Sequence, residues 1–286
     1  MFEIDDKIRH LIDLALSEDI GKGDLTTEAT IDKGLLAKGV IVAKEEGVIA
    51  GLEIVKRVFE KLDPNLILES AFRDGNKVMR KDEVATLKGR VKSILSGERT
   101  ALNFLQKLSG IATLTSKYLE KTKDTGVKIL DTRKTTPGLR VLEKYAVKMG
   151  GGENHRMGLF DMILIKGNHI KAVGSIAKAI QKVKAKYPQE KIEVETKNIK
   201  EVEEAISSEV DWIMLDNMSL EEMKKAVKLI RSSQREIKIE ASGRVDLNNV
   251  REIALTGVDF ISVGALTHSA PALDFSLFLV ELNLEP

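Results

Sequence analysis

The stretch KIEVETKNIKEVEEAISSEVDWIMLDN, residues 191–217, carries the pattern that decides the fold. A short apolar run, IEVET, stops on charged residues. Helical periodicity follows, and a second run, WIMLD, then closes on Asp216 and Asn217. The same rhythm recurs in VKILDTRK, DMILIKGNH, IKIEASGR and DFISVGALTHS, so that the runs end at Arg133, Lys166, Glu195, Asp216, Ser242 and Gly264. The later intervals match one βα unit, and strands alternating with helices predict a parallel sheet with right-handed crossovers. The spacing comes without sequence repetition, which speaks against a solenoid. Such units form either a doubly wound sheet or a barrel, full or partial. Reactive or small residues stand at every run's end, which favours a barrel, where strand C-termini converge on one mouth.

Upstream, the pattern is α+β. Ile4, Ile8, Leu11, Ile12 and Ala15 share one helical face. Residues 37–51 alternate like paired strands, residues 51–62 are helical, and residues 72–95 resemble strands around an Asp74-Gly75 turn. A long helix is expected over 98–121, with Ser96 as its N-cap and Leu102, Leu105, Leu108, Ala112 and Tyr118 on one stripe. These features divide the chain into an N-terminal domain, 1–110, and a barrel domain, 111–270. The apolar tail, 271–286, is expected to pack back as a strand.

Composition narrows the function. The chain has 286 residues, 43% of them hydrophobic and 31% charged, as in a soluble globular protein. A net charge of +1 supplies no global field toward nucleic acid or a membrane surface, so any anion site must be built locally. There is no cysteine, which excludes a disulfide scaffold, a thiolate metal site and a thiol nucleophile, and which fits a cytoplasmic location. No run reaches the length of a membrane span, and the acidic N-terminus lacks the pattern of a signal peptide. Aromatic residues make up 4%, too few for a stacking platform on single-stranded nucleic acid.

Three groups of residues carry candidate chemistry. The cations Arg133, Lys134, His155, Arg156 and Lys166 stand at strand ends or beside glycines. Gathered at one mouth they repel one another unless a polyanion is bound, and arginine's planar fork suits carboxylates. The acids Glu193, Glu195 and Asp216 follow; period-two alternation puts both glutamates on one strand face, with Glu195 at the mouth. They read either as salt-bridge partners of the cations, or as a Mg²⁺ site completed by substrate oxygens, or as ligands for sugar hydroxyls. The third group is Ser242-Gly243 and Gly264-Ala265, backbone N–H groups placed just before helices and suited to phosphate, although such turns are also ordinary turns. No dinucleotide fingerprint, P-loop or serine elbow is present, so covalent catalysis is not indicated.

Together these segments resemble the quinolinate phosphoribosyltransferase family. The resemblance runs through GDLTT (23–27), GERTALNFLQKLSGIAT (97–113), DTRKTTPGLR (131–140) and GGGENHRMGLFDMILIKGNH (150–169), and through the four runs that follow. It implies an N-terminal α/β sandwich joined to an open, incomplete parallel α/β barrel. It also implies phosphoribosyl transfer from phosphoribosyl pyrophosphate (PRPP) to quinolinate with decarboxylation, giving nicotinate mononucleotide, pyrophosphate and CO₂ in de novo NAD biosynthesis. By that resemblance Arg99, Thr132, Arg133, His155, Arg156 and Lys166 bind quinolinate, and Lys134 lies between the ring and the pyrophosphate. Glu195 and Asp216 hold Mg²⁺ or the ribose hydroxyls. Ser242, Gly243, Arg244, Gly264, Ala265 and His268 contact the phosphates. No organic cofactor is needed. Arg99 is expected to reach the neighbouring subunit's site, which implies a homodimer. Arg244 stands where the family usually has a second glycine, so the phosphate nest there departs from the pattern. Two alternatives stay open: a related phosphoribosyltransferase acting on another aromatic acid, and a non-catalytic phosphosugar-binding barrel.

Overall fold

The structure is a computed structural model that describes residues 4–282. The expectations for Met1–Glu3 and for the end of the tail, 283–286, lie outside the described residues. The chain separates into two compact units. The first runs through Leu114 and also takes in Pro137–Gly151 and the described residues from Ala270 on; the second comprises Thr115–Thr136 and Gly152–Ser269.

The first unit is built on a four-stranded antiparallel sheet. Its strands are β1 (Leu36–Ala43), β3 (Ile67–Glu69), β5 (Glu83–Arg90) and the tail strand β12 (Phe275–Leu282), in the order β12-β1-β5-β3. Two short strands, β2 (Gly47–Val48) and β4 (Lys77–Val78), pair separately. Residues 37–51 therefore do not pair with one another as expected: β1 takes β12 and β5 as neighbours, while β2 takes β4. The N-terminal helix, Asp6–Ile20, is capped by Asp5 and buries Ile8, Ile12 and Leu16. The long helix starts earlier than its expected boundary and spans Val91–Thr122. Its β-branched opening, Val91 to Ile94, reads locally as strand, but both residues are buried, and packing overrides that propensity. Ser96 is consequently no N-cap; it lies within the helix and donates to Asp24 Oδ2 at 3.0 Å. The expected stripe is present, with Leu102, Leu105, Leu108, Ala112 and Tyr118 all buried. Gly110 on this helix meets the backbone of Pro271.

The second unit holds six parallel strands: β6 (Lys128–Leu130), β7 (Ile163–Ile165), β8 (Ile192–Thr196), β9 (Trp212–Asp216), β10 (Lys238–Ser242) and β11 (Phe260–Ser262). Every apolar run read from the sequence is one of these strands. Their order is β6-β11-β10-β9-β8-β7, with each neighbouring pair parallel. The first two strands of this unit, β6 and β7, are thus the two edges. Beyond β6 a single parallel bridge, Leu130 to Glu153, extends the sheet toward β7 without closing it, which makes the barrel an open one.

Alternation sets the two faces. Ile213, Leu215, Ile239, Ala241 and Ile261 are fully buried toward the covering helices, which is why the runs read as apolar. Those helices begin on side-chain caps: Ser175 for Ile176–Lys186, Asn198 for Ile199–Ser207, and Ser219 with Glu222 for Leu220–Ser232. The opposite face points into the barrel and carries Glu193, Glu195, Trp212, Met214, Asp216, Glu240 and Ser242. At its lower end Trp212 and Phe260 stack with ring centroids 4.6 Å apart, and the Lys238 ammonium lies 5.1 Å from the Trp212 ring. The interior is therefore plugged below and polar above. Among the described residues no helix is long and apolar enough to cross a membrane.

Candidate active site

The upper end of the barrel opens into a cavity of about 300 Å³. Thr132, Arg133 and Lys134 enter it after β6, His155 and Arg156 from the segment beside β6, and Lys166 after β7. Glu195, Asp216 and Ser242 enter from the ends of β8, β9 and β10. Strands at both edges of the sheet thus contribute to one cavity, and Arg133, Arg156 and Lys166 all line it.

Local structure explains each placement. After β6 the chain turns at Thr132, whose Oγ1 accepts the Lys134 N–H at 3.0 Å. The Lys134 carbonyl accepts a hydrogen bond from Thr267 Oγ1 at 2.8 Å, which ties this turn to the short helix after β11. Arg156 is held by its own loop, with Nη1 donating to the Met162 carbonyl at 2.9 Å. Asp161 folds that loop by accepting the Met157 and Gly158 N–H groups. Burial pushes the Arg156 guanidinium below its ordinary value, and the neighbouring Arg133 charge pushes it further. Two like charges facing one cavity is an arrangement that an anion relieves.

The acids divide into two tiers. At the rim, Glu195 Oε1 accepts the Gly167 N–H at 3.3 Å and lies 3.8 Å from Lys197 Nζ. Asp216 has no protein partner among the described residues. One tier down, Glu193 and Glu240 are buried, 1% and 0% exposed, and both approach His155 Nε2, Glu193 at 3.0 Å and Glu240 at 3.4 Å. Burial raises Glu193 to about 7, with the Glu240 charge adding to the rise and His155 and Arg156 opposing it. For His155 burial works downward, yet the two glutamates outweigh it and lift the ring to about 9. Its Nδ1 accepts the Arg156 N–H at 2.7 Å.

The family model of the quinolinate phosphoribosyl transferase C-terminal domain matches residues 111–278, and that of the N-terminal domain matches residues 24–109. The chain belongs to this family. It is 50% identical over 268 residues to the probable nicotinate-nucleotide pyrophosphorylase (carboxylating) of Synechocystis sp., covering 93% of this chain and 90% of that one. It is 43% identical to quinolinate phosphoribosyltransferase (decarboxylating) 1b of Nicotiana tabacum, covering 97% and 84%. Among solved structures, NadC from Streptococcus pyogenes matches with a TM-score of 0.93 at 43% identity over 99% of each chain. The nicotinate-nucleotide pyrophosphorylase of Francisella tularensis matches with 0.92 at 41% over 98% of each.

Within this phosphoribosyltransferase fold the remaining sequence candidates fall into two places. Gly264 is the N-cap of a short helix, Ala265–His268, that follows β11. A Cβ on Gly264 would lie 3.0 Å from Lys134 Cδ and 3.3 Å from the His268 ring, so this cap abuts Lys134. Gly243 and Arg244 line a separate cavity with Asn217 and the start of the Leu220–Ser232 helix. Gly243 has φ 101° and a Cβ there would lie 2.5 Å from the Asn217 side chain, so glycine is required. Arg244 is exposed with φ 51°, and its carbonyl accepts from Asn249 at 2.9 Å. Arg99 is exposed on the Val91–Thr122 helix and is not among the residues lining the cavity of its own chain. Sequence reasoning missed Asp131, Glu240 and Ser262. Ser262 follows from the inward alternation of β11, and Glu240 from that of β10, where it lies two residues before Ser242. A charged residue in the middle of an apolar run was the available signal.

Proposed function

We propose that this chain transfers the phosphoribosyl group of PRPP to quinolinate and releases CO₂ and pyrophosphate, forming nicotinate mononucleotide for de novo NAD biosynthesis. The observation that carries the reading is the juxtaposition of Arg133 and Arg156 in one cavity whose rim bears Glu195 and the unpartnered Asp216. Cations on one side fit a dicarboxylate ring, and carboxylates on the other fit a sugar's hydroxyls. A barrel that only binds a phosphosugar has no use for both.

In this reading Arg133, Arg156 and Lys166 grip the quinolinate carboxylates and fix the ring nitrogen toward the anomeric carbon, so that the attack starts from a held geometry. The nitrogen lone pair forms the bond to that carbon while the carbon–oxygen bond to pyrophosphate breaks and its electron pair leaves with the pyrophosphate. Lys134, at the mouth beside Gly264, offsets the charge that builds on the leaving group. The ring nitrogen is then cationic. It accepts the electron density left when the adjacent carboxylate departs as CO₂, and a proton fills the vacated ring position. The substrate is its own electron sink, so no organic cofactor enters.

Glu195 and Asp216 would hold Mg²⁺. Carboxylate oxygens are the hard donors this ion takes, and two protein ligands leave room for PRPP oxygens and water. Mg²⁺ would supply charge neutralisation for pyrophosphate. The same reading places the enzyme in the cytoplasm as a homodimer, with the exposed Arg99 serving the partner's cavity.

The test is turnover. Purified protein with quinolinate, PRPP and Mg²⁺ should release CO₂ and pyrophosphate in equal amounts, and a chelator in excess of Mg²⁺ should stop it. Equal turnover of nicotinate in place of quinolinate would refute the dicarboxylate assignment.

A further inference from the structure

Lys197 follows the last residue of β8, Thr196, and period-two alternation puts it on the inward side with Glu193 and Glu195. Its backbone is fixed. The Lys197 N–H donates to Glu201 Oε2 at 2.8 Å, and the Asn198 side chain accepts the Glu201 N–H at 3.1 Å to cap the helix Ile199–Ser207. Its side chain reaches toward Glu195 and brings Nζ to 3.8 Å from Oε1.

Among the described residues the Glu195 carboxylate has one further contact, the Gly167 N–H at 3.3 Å. The three groups are closely fitted: a Cβ on Gly167 would lie 2.9 Å from Lys197 Nζ and 3.2 Å from Glu195 Oε1, so glycine leaves room for the pair. The two partners differ in freedom. The lysine side chain is 56% exposed and the glutamate 13%, so the ammonium can withdraw into water at small cost while the carboxylate stays in the cavity wall. Lys197 is not among the residues lining that cavity. Its charge nevertheless lies close enough to repel any cation that binds the same carboxylate.

We propose that Lys197 is the resident counter-ion of Glu195, and that it competes with the divalent cation for that carboxylate and so sets the concentration at which the site fills. This rests on the reading that Glu195 and Asp216 hold the metal. Asp216, which has no protein partner among the described residues, is free of such a competitor. Removing the lysine's charge therefore tightens cation binding.

The test is a titration of the substrate-free protein with Mn²⁺, read by the electron paramagnetic resonance of the free ion. Lys197→Gln should lower the Kd about threefold, the scale of one half-exposed ion pair, and Lys197→Glu should lower it further. The gain should be largest near 10 mM ionic strength and vanish near 1 M, where screening acts within about 3 Å. In a Glu195→Gln background, Lys197→Gln should lose most of its effect. In turnover, the Mg²⁺ concentration that gives half the maximal rate should fall with the Kd, while the KM for quinolinate stays unchanged. An unchanged Kd in both lysine variants overturns the proposal, and a raised KM for PRPP alongside it would assign Lys197 to the substrate's phosphates instead. If the wild-type protein binds no Mn²⁺, the metal reading of Glu195 and Asp216 fails and this proposal with it, and CO₂ release tells separately whether phosphoribosyl transfer fails too. If the wild type binds Mn²⁺ and the variants bind it no tighter, only the counter-ion role fails.

Discussion

Gly264 lies against Lys134: a Cβ on the glycine would come within 3.0 Å of the lysine's Cδ. The backbone there has φ −63°, which any residue adopts, so the requirement for glycine is one of space and not of conformation. Gly264→Ala should therefore leave thermal stability nearly unchanged, since only flexible side-chain atoms of Lys134 and His268 must give way. Turnover should nonetheless fall, because Lys134 must give by a few tenths of an ångström and a charge-stabilising group is sensitive to its position. A variant with wild-type kcat would show that Lys134 acts from elsewhere.

Arg99 is exposed on the Val91–Thr122 helix, whereas Arg133 lines the cavity. If the dimer shares its sites, Arg99→Ala and Arg133→Ala should each abolish turnover, and mixed dimers of the two should regain about half of the wild-type activity, since one of the two sites is then intact. The measurement is activity after co-refolding differently tagged subunits and isolating the doubly tagged species. No recovery in that species would mean that Arg99 does not serve the neighbouring site.

Much of this architecture was legible because parallel strands buried on both faces leave dense apolar runs in the sequence. Arg133, Lys166, Glu195 and Asp216 stand where those runs stop, so their convergence followed once a barrel was assumed. The start of the long helix was not legible. Val91 and Ile94 carry strand propensity, and only tertiary burial makes them helical. Glu240 and Asp131 were missed for a related reason. Each is explained by His155 or its neighbours, which lie far along the chain, and no local period encodes that meeting.

Gly110 makes a sharper test of the first unit. A Cβ at this position would overlap the Pro271 carbonyl oxygen, which is backbone and cannot rotate away. Nearby, Gln106 Nε2 donates to the Phe275 carbonyl at 3.1 Å, so helix and tail are fastened along their length. Gly110→Ala should lower stability by about 1–3 kcal/mol, the usual penalty for overpacking, despite alanine's higher helix propensity. Urea unfolding read by circular dichroism measures it, and an unchanged midpoint would contradict the close packing of the tail on this helix.

The buried cluster beneath the cavity makes stability depend on pH in a stated direction. Glu193 is raised from 4.5 to about 7 and His155 from 6.5 to about 9, so the folded state holds protons that the unfolded chain has released at neutral pH. For a raised group the contribution is fully present below the unfolded value and is lost as pH climbs through the folded one. Stability should therefore decline between about pH 5 and pH 9, by up to about 1.4 kcal/mol per pH unit for each proton of difference. Glu240→Gln removes one of the charges that raises both groups, so its stability should vary less over the same window. Urea midpoints at pH 6 and pH 8.5 for the two proteins give the comparison. Parallel pH dependences would mean that Glu240 does not govern the cluster's protons.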